Sequence, residues 1–548
     1  MEHAFAWIIV LSLVAYTAVL IGLSTCAKRR VGEGEAYLHG GRQFGFRHVF
    51  ILVTVMWASS IFVVELETGF LSGLSAAWFG ISVIMMSVLV AKFLLKPFRE
   101  VGYVTNSRLL GQRFGLSAQR FSATVIALTF PIFAMSNVLA AAEFLHALLG
   151  FGLPATLVLT TVIMLAYIGQ SGLWSLAYTQ TVNLVMLTAG LGVAGYFFLR
   201  IPKTSLHPVA VHGFTSLTGV GIGTIAVWLV MNILNSVSAQ AEMQAIAAVK
   251  DTRRGQRAVY VSAIVLVAFT IVPVWLGMRT RELYPQATKG LAAFPAALVH
   301  IAPPWAVLVA ALGVWSAALA WCAPLLFSGA SSLGADLFRR RARDGADLLA
   351  KVSNVRRLTQ YGLLIQGALV IVVALLRPDE LAWWRVFGQT IRSAAIFAPT
   401  IAFFLWPAAT KRAVLWSMSL GVASSLLWNA WTGFSATTFL WGVNPMWVGL
   451  SVSVIALVVA TVLEMAGTGQ RMEWKRSSRT TMLLSFAVIL WATLVVWWSS
   501  APGLRGALFC CGVVVAFMAV AMGVRRKAGD VPRVSSESMI ATQPTQAG

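Results

Sequence analysis

The chain has 548 residues, 58% apolar and 11% charged, with 41 Lys and Arg against 19 Asp and Glu, a formal net charge of +22 and a mean hydropathy of +0.80. So little polar surface excludes a water-soluble globule, whose exterior needs more of it. Hydrocarbon cannot hydrogen-bond a backbone, so the long apolar runs must be helices of about 20 residues each, and no alternating β-barrel pattern competes.

Apolar runs bounded by Gly, Pro or charge predict spans near 6–26, 48–72, 75–98, 119–148, 153–170, 173–199, 218–240, 258–278, 304–332, 358–376, 382–407, 412–432, 445–466, 480–500 and 503–523. That is roughly 15 transmembrane helices. The first lacks basic residues ahead of it and a small-residue cleavage site behind it, so it is expected to stay as a helix. The second, "HVFILVTVMWASSIFVVELETGFLSGL", has small polar residues at its centre, then Glu65 and Glu67 ahead of Gly69 and Gly73. Five spans later, "AVWLVMNILNSVSAQAEMQ" is interrupted by Asn232, Asn235, Ser236, Ser238 and Gln240. Two polar-broken helices at that separation are the pattern of an inverted-repeat transporter, because unwound backbone is tolerated where it lines a cavity.

The basic segments 28–47, 96–120, 250–257, 339–357, 471–479 and 525–533 each join a helix end. With the first residue outside, alternation places about three quarters of the Lys and Arg inside. This predicts a bacterial inner-membrane protein with a periplasmic N-terminus and a cytoplasmic C-terminus, its basic loops touching anionic lipid rather than nucleic acid. Cys26, Cys322, Cys510 and Cys511 lie in apolar runs without metal or disulfide spacing, and His146 and the other histidines lack paired spacing. The 21 tryptophans cluster at span ends as interface anchors. The polar tail after about Lys527 is expected to be disordered, and no soluble catalytic domain is recognisable.

Seven motifs in order then resemble the sodium:solute symporter family, from about Glu35 to about Trp428. They are "EAYLHGGRQFG", "GLSAAWFG", "TNSRLLGQRFG", "AYIGQSGLWSLAYTQTVN", "QAEMQAIAAVKDTRRGQRA", "SGASSLGADLFRR" and "LWPAATKRAVLWSMSLGVASSLLW". The resemblance implies an all-α polytopic membrane protein with a leucine-transporter-like five-plus-five inverted repeat. Its parts are an N-terminal extra helix and loop (1–47), the transporter core (48–432), additional C-terminal helices (433–527) and the tail (528–548). It also implies alternating access around a midplane site, with no covalent step and no enzyme activity.

The family's sodium site takes backbone carbonyls from the first core helix, here near Thr54 and Trp57, and oxygens from the eighth, here near Ala317 and Ala320. Aligned on Asp336, the expected hydroxyl residues fall on Ala320 and Trp321, and Gln180 stands where the family commonly has an Asp. A hard cation needs a shell of oxygens, so these departures argue against ordinary sodium coupling and leave a proton as the alternative coupling ion; no other cofactor is expected. Intramembrane acids are functional candidates by default, which singles out Glu65 and Glu67. In a regular helix they point about 200° apart, so both reach one cavity only if the chain unwinds near Thr68 and Gly69. Their alternatives are hydration near the surface or pairing with Arg385 or Arg392. A carboxylate on the pathway would attract a cationic solute or carry a proton. Trp57, Ser59, Ser60, Asn232, Asn235 and Gln240 complete the candidate solute site, against helix packing as their other explanation. The functional expectation is secondary active transport of a small polar solute, the alternative a transporter-like sensor without coupled transport.

Overall fold

The computed structural model describes residues 3–27, 36–168, 172–209, 211–337, 352–376, 381–435, 438–468, 472–474 and 502–526, with Leu483, Phe486 and Leu490. Its principal helices are α1 (His3–Cys26), α2 (Phe46–Ser72), α3 (Trp78–Leu89), α4 (Asn106–Phe114), α5 (Leu116–Leu149), α6 (Leu153–Ile168), α7 (Gly172–Leu199), α8 (Ile222–Ser238) and α9 (Gln240–Ala247). They continue with α10 (Thr252–Leu283), α11 (Gly290–Ile301), α12 (Pro304–Ser331), α13 (Val352–Leu376), α14 (Leu381–Leu405), α15 (Lys411–Trp431), α16 (Pro445–Gly467) and α17 (Pro502–Gly523). A π turn at Val90–Leu94 carries α3 on to Glu100, and β1 (Met472–Trp474) pairs antiparallel with β2 (Val524–Arg526).

Among the described residues, 10 helical stretches are long and apolar enough to cross a membrane, or 11 with α8 and α9 taken as one bent span. One of them, Phe46–Glu100, has 55 residues, enough for two crossings at about 20 each. The predicted span at 480–500 and the tail after Lys527 fall outside the described residues, apart from Leu483, Phe486 and Leu490. The span pattern passed over α11, an apolar helix whose 12 residues are too few to cross.

Only one of the two predicted breaks is present. Between α8 and α9 the axis turns by 51° at Ala239, whose ψ of 69° leaves the helical region. Serines explain it: Ser236 Oγ donates to the Ile233 carbonyl and Ser238 Oγ to the Asn235 carbonyl, so side chains compete with the backbone ladder at the helix end. By contrast α2 runs unbroken through Ser59, Ser60, Glu65 and Glu67 to Gly73, correcting the expectation of an unwound segment near Thr68 and Gly69. The reason is packing. A Cβ on Gly69 would lie 2.7 Å from the Val274 carbonyl oxygen, and one on Gly277 2.3 Å from that of Leu66, so α2 and α10 cross backbone to backbone. Small residues at such a crossing hold a membrane helix in place without a hydrophobic driving force.

The packing partners repeat with a five-span period. In the first half the spans are α2, α3, α5, α6 and α7; in the second they are α8–α9, α10, α12, α13 and α14. The contact α2·α10 is matched by α8·α3, α5·α14 by α12·α7, and α2·α7 by α8·α14. Exchanging the halves reproduces each pairing, which is what an internal two-fold relation requires.

Candidate functional site

Around the bend at Ala239, residues from six helices close on a cavity of about 10 Å³, room for a single water. Met56 and Trp57 come from α2, Phe130 and Phe133 from α5, Asn235 and Glu242 from α8 and α9, Trp321 and Leu325 from α12, and Arg392 from α14. The indoles of Trp57 and Trp321 meet edge to face at 5.4 Å, and Trp321 Nε1 donates to the Phe133 carbonyl. Arg392 stacks its guanidinium 4.9 Å from the rings of both Phe130 and Phe133, with Nη2 donating to Asn235 Oδ1 at 2.7 Å and to Gln389 Oε1. Glu242 is 1% exposed, and neither carboxyl oxygen has a hydrogen-bond partner. The Trp57 indole N–H faces it but stays outside full hydrogen-bond geometry, and Arg392 Nε is likewise unpartnered.

Of the residues singled out from the sequence, Trp57 and Asn235 line this cavity; the others are engaged elsewhere. Ser59 Oγ bonds back to the Val55 carbonyl at 2.5 Å, and its own carbonyl accepts from Asn137. Ser60 Oγ accepts from Arg385 Nη1 at 2.6 Å; Arg385 also donates to Ser136 and Asn137 and lies 5.1 Å from the Trp321 ring centroid. Asn232 donates to Ser82 Oγ. Each carboxylate of α2 caps a different helix: Glu65 Oε1 accepts from Gly80 N–H at 2.8 Å at the start of α3, and Glu67 Oε2 from Leu291 N–H at 2.7 Å at the start of α11. Acids are stabilised there by unsatisfied amides and the helix dipole, so in an unbroken α2 the two point to separate neighbours and neither is bonded to Arg385 or Arg392. Gln240 lies at the far side of the bend, donating to Ser328 and Ser332 and accepting from Asn106 N–H.

The oxygens assigned to a sodium ion are used otherwise. Thr54 and Trp57 sit mid-helix in α2, where backbone carbonyls serve the ladder, and Thr54 Oγ1 donates to Ser262 on α10. Ala317 and Ala320 bring no hydroxyl. Pro324 has no N–H to return to the Ala320 carbonyl, and Gln180 Nε2 donates to that oxygen at 2.7 Å. Gln180 is itself held by Asn183, which accepts from Tyr16 of α1. A neutral amide therefore donates to the Ala320 carbonyl, one of the oxygens that the family resemblance assigns to the cation.

Glu242 is the cavity residue that sequence reading missed. The predicted span ended at 240, which left Glu242 just outside it; the rule that picked out Glu65 and Glu67 would have picked it out had the bent helix been carried to Ala247.

A sequence model of the sodium:solute symporter family matches residues 37–421. Over 219 residues the chain is 28% identical to the sodium/glucose cotransporter 2 of Rattus norvegicus, covering 38% of this chain and 32% of that protein, so the match spans about a third of the relative's length. A solved structure described as the substrate-bound outward-open state of a Na+-coupled sialic acid symporter aligns with a TM-score of 0.67 at 14% identity, covering 84% of this chain and 98% of that one. At that identity the likeness is one of fold: all-helical, with the five-plus-five arrangement read above from the helix contacts.

Proposed function

Since the chain belongs to the sodium:solute symporter family and is a multi-pass membrane transporter rather than an enzyme, we propose that it moves a small polar solute through the Trp57–Glu242–Arg392 cavity without sodium at the family's position. The observation that carries this is the hydrogen bond from Gln180 to the proline-released carbonyl of Ala320. A sodium ion needs five or more oxygens, and here one carbonyl is taken by an amide and the neighbouring positions are Ala320 and Trp321. Alternating access then rocks α2, α8 and α9 with their partners against the remaining helices, opening the cavity to each side in turn. The proton gradient is the driving force left for uphill movement.

The test is exchange of labelled solutes by the purified full chain in proteoliposomes. Exchange that continues when choline replaces sodium, with uphill accumulation abolished by a protonophore, is the expected result. Strict dependence on sodium would overturn the coupling assignment, and absence of exchange for every solute would favour a sensor.

A further inference from the structure

Building on that transport reading, we propose that the solute is a zwitterion, its carboxylate read by Arg392 and its ammonium by Glu242. Both side chains are 1% exposed and line one cavity, yet they do not bond each other. A buried charge without a counter-charge is costly, so each of the two, when ionised, calls for one once the cavity is occupied and dry. A ligand bearing one positive and one negative group does this for both at once. A singly charged ligand satisfies one protein group and leaves the other stranded, and a neutral polyol satisfies neither.

The two ends differ in how they are prepared. Arg392 is fixed by the Phe130 and Phe133 rings and by Asn235 and Gln389, so its fork is rigid and its Nε remains free, the arrangement suited to a planar carboxylate. Glu242 keeps both oxygens unbonded at the bend, an acceptor set suited to an ammonium's several N–H donors. Arg385, another buried guanidinium, does not line the cavity; it is engaged by Ser60, Ser136, Asn137 and the Trp321 face. The remaining walls, Met56, Trp57, Trp321 and Leu325, are apolar or aromatic, so the body between the charged ends is hydrocarbon. Room for one water means that this body enters only when the walls part.

The experiment loads proteoliposomes of the full chain with a panel: the proteinogenic amino acids and glycine betaine, the amines lacking the carboxylate, the acids lacking the amine, and neutral sugars and polyols. The wild type should exchange at least one zwitterion and exclude its amine and acid counterparts by roughly thirtyfold or more, the scale for stranding a buried charge. Glu242→Gln should then bring the acid counterpart level with the zwitterion, and Arg392→Gln the amine counterpart, an opposite pair of shifts that general loss of folding cannot produce. Should either variant fail to fold, the wild-type panel decides alone. Exchange of sugars, polyols or singly charged solutes in preference to zwitterions would overturn this assignment and leave transport standing. No exchange of any panel member would overturn both.

Discussion

At the scale of single residues, two prolines create carbonyls that two glutamines satisfy. Pro324 frees the Ala320 oxygen for Gln180, and Pro131 frees the Ala127 oxygen, which accepts from Gln366 Nε2 at 2.6 Å. A buried carbonyl left bare costs about 1–3 kcal/mol, so Gln180→Ala and Gln366→Ala should each lower thermal stability in detergent by that order. Pro324→Ala restores a backbone N–H four residues on, so Gln180→Ala in that background should cost clearly less; equal costs in both backgrounds would show that the proline is not the cause. The Gln180 substitution was legible as a departure from the family pattern. Its partner was not, because the link to Ala320 depends on a crossing between α7 and α12 that spacing along the chain does not encode.

Among the elements, the two short helices α4 and α11 are held by one plan used twice. At the start of α11, Leu291 N–H is capped by Glu67 of α2, while Lys289 pairs with Glu143 of α5 at 3.1 Å. At the start of α4, Asn106 N–H is capped by Gln240 of α9, while Thr105 and Arg108 bond Asp336 just beyond α12, both at 2.7 Å. In each case the cap comes from the first span of the opposite half and the acid from the end of that same half's third span, so the latches exchange under the same two-fold relation as the helix contacts. Glu67→Ala should therefore raise amide hydrogen exchange in α11 and not in α4, and Gln240→Ala the reverse, each by about fivefold for a cap worth ~1 kcal/mol. Exchange rising equally in both helices would deny that the latches are separate. The crossing that holds α2 straight has its own test: Gly277→Ala places a methyl against the Leu66 carbonyl and should destabilise by about 1–3 kcal/mol.

For the whole molecule, the spans were legible because hydrocarbon leaves the backbone so few options, and most predicted boundaries fall within a few residues of the helices. The bend at Ala239 was legible from its serines and asparagines; the straightness of α2 was not, since its polar residues look the same in sequence and only Val274 and Gly277 on another helix decide the matter. Orientation rests on the charge of the loops alone. Arg254 lies exposed in the basic first turn of α10, and Gln286 is exposed beyond its other end, one helix length away. If the excess of Lys and Arg keeps the first loop in the cytoplasm, a cysteine replacing Gln286 in a cysteine-free background should react with an impermeant maleimide on intact cells. A cysteine replacing Arg254 should react only after the membrane is opened. The opposite labelling would invert the protein in the bilayer and reverse which latch, Glu67 or Gln240, faces the periplasm.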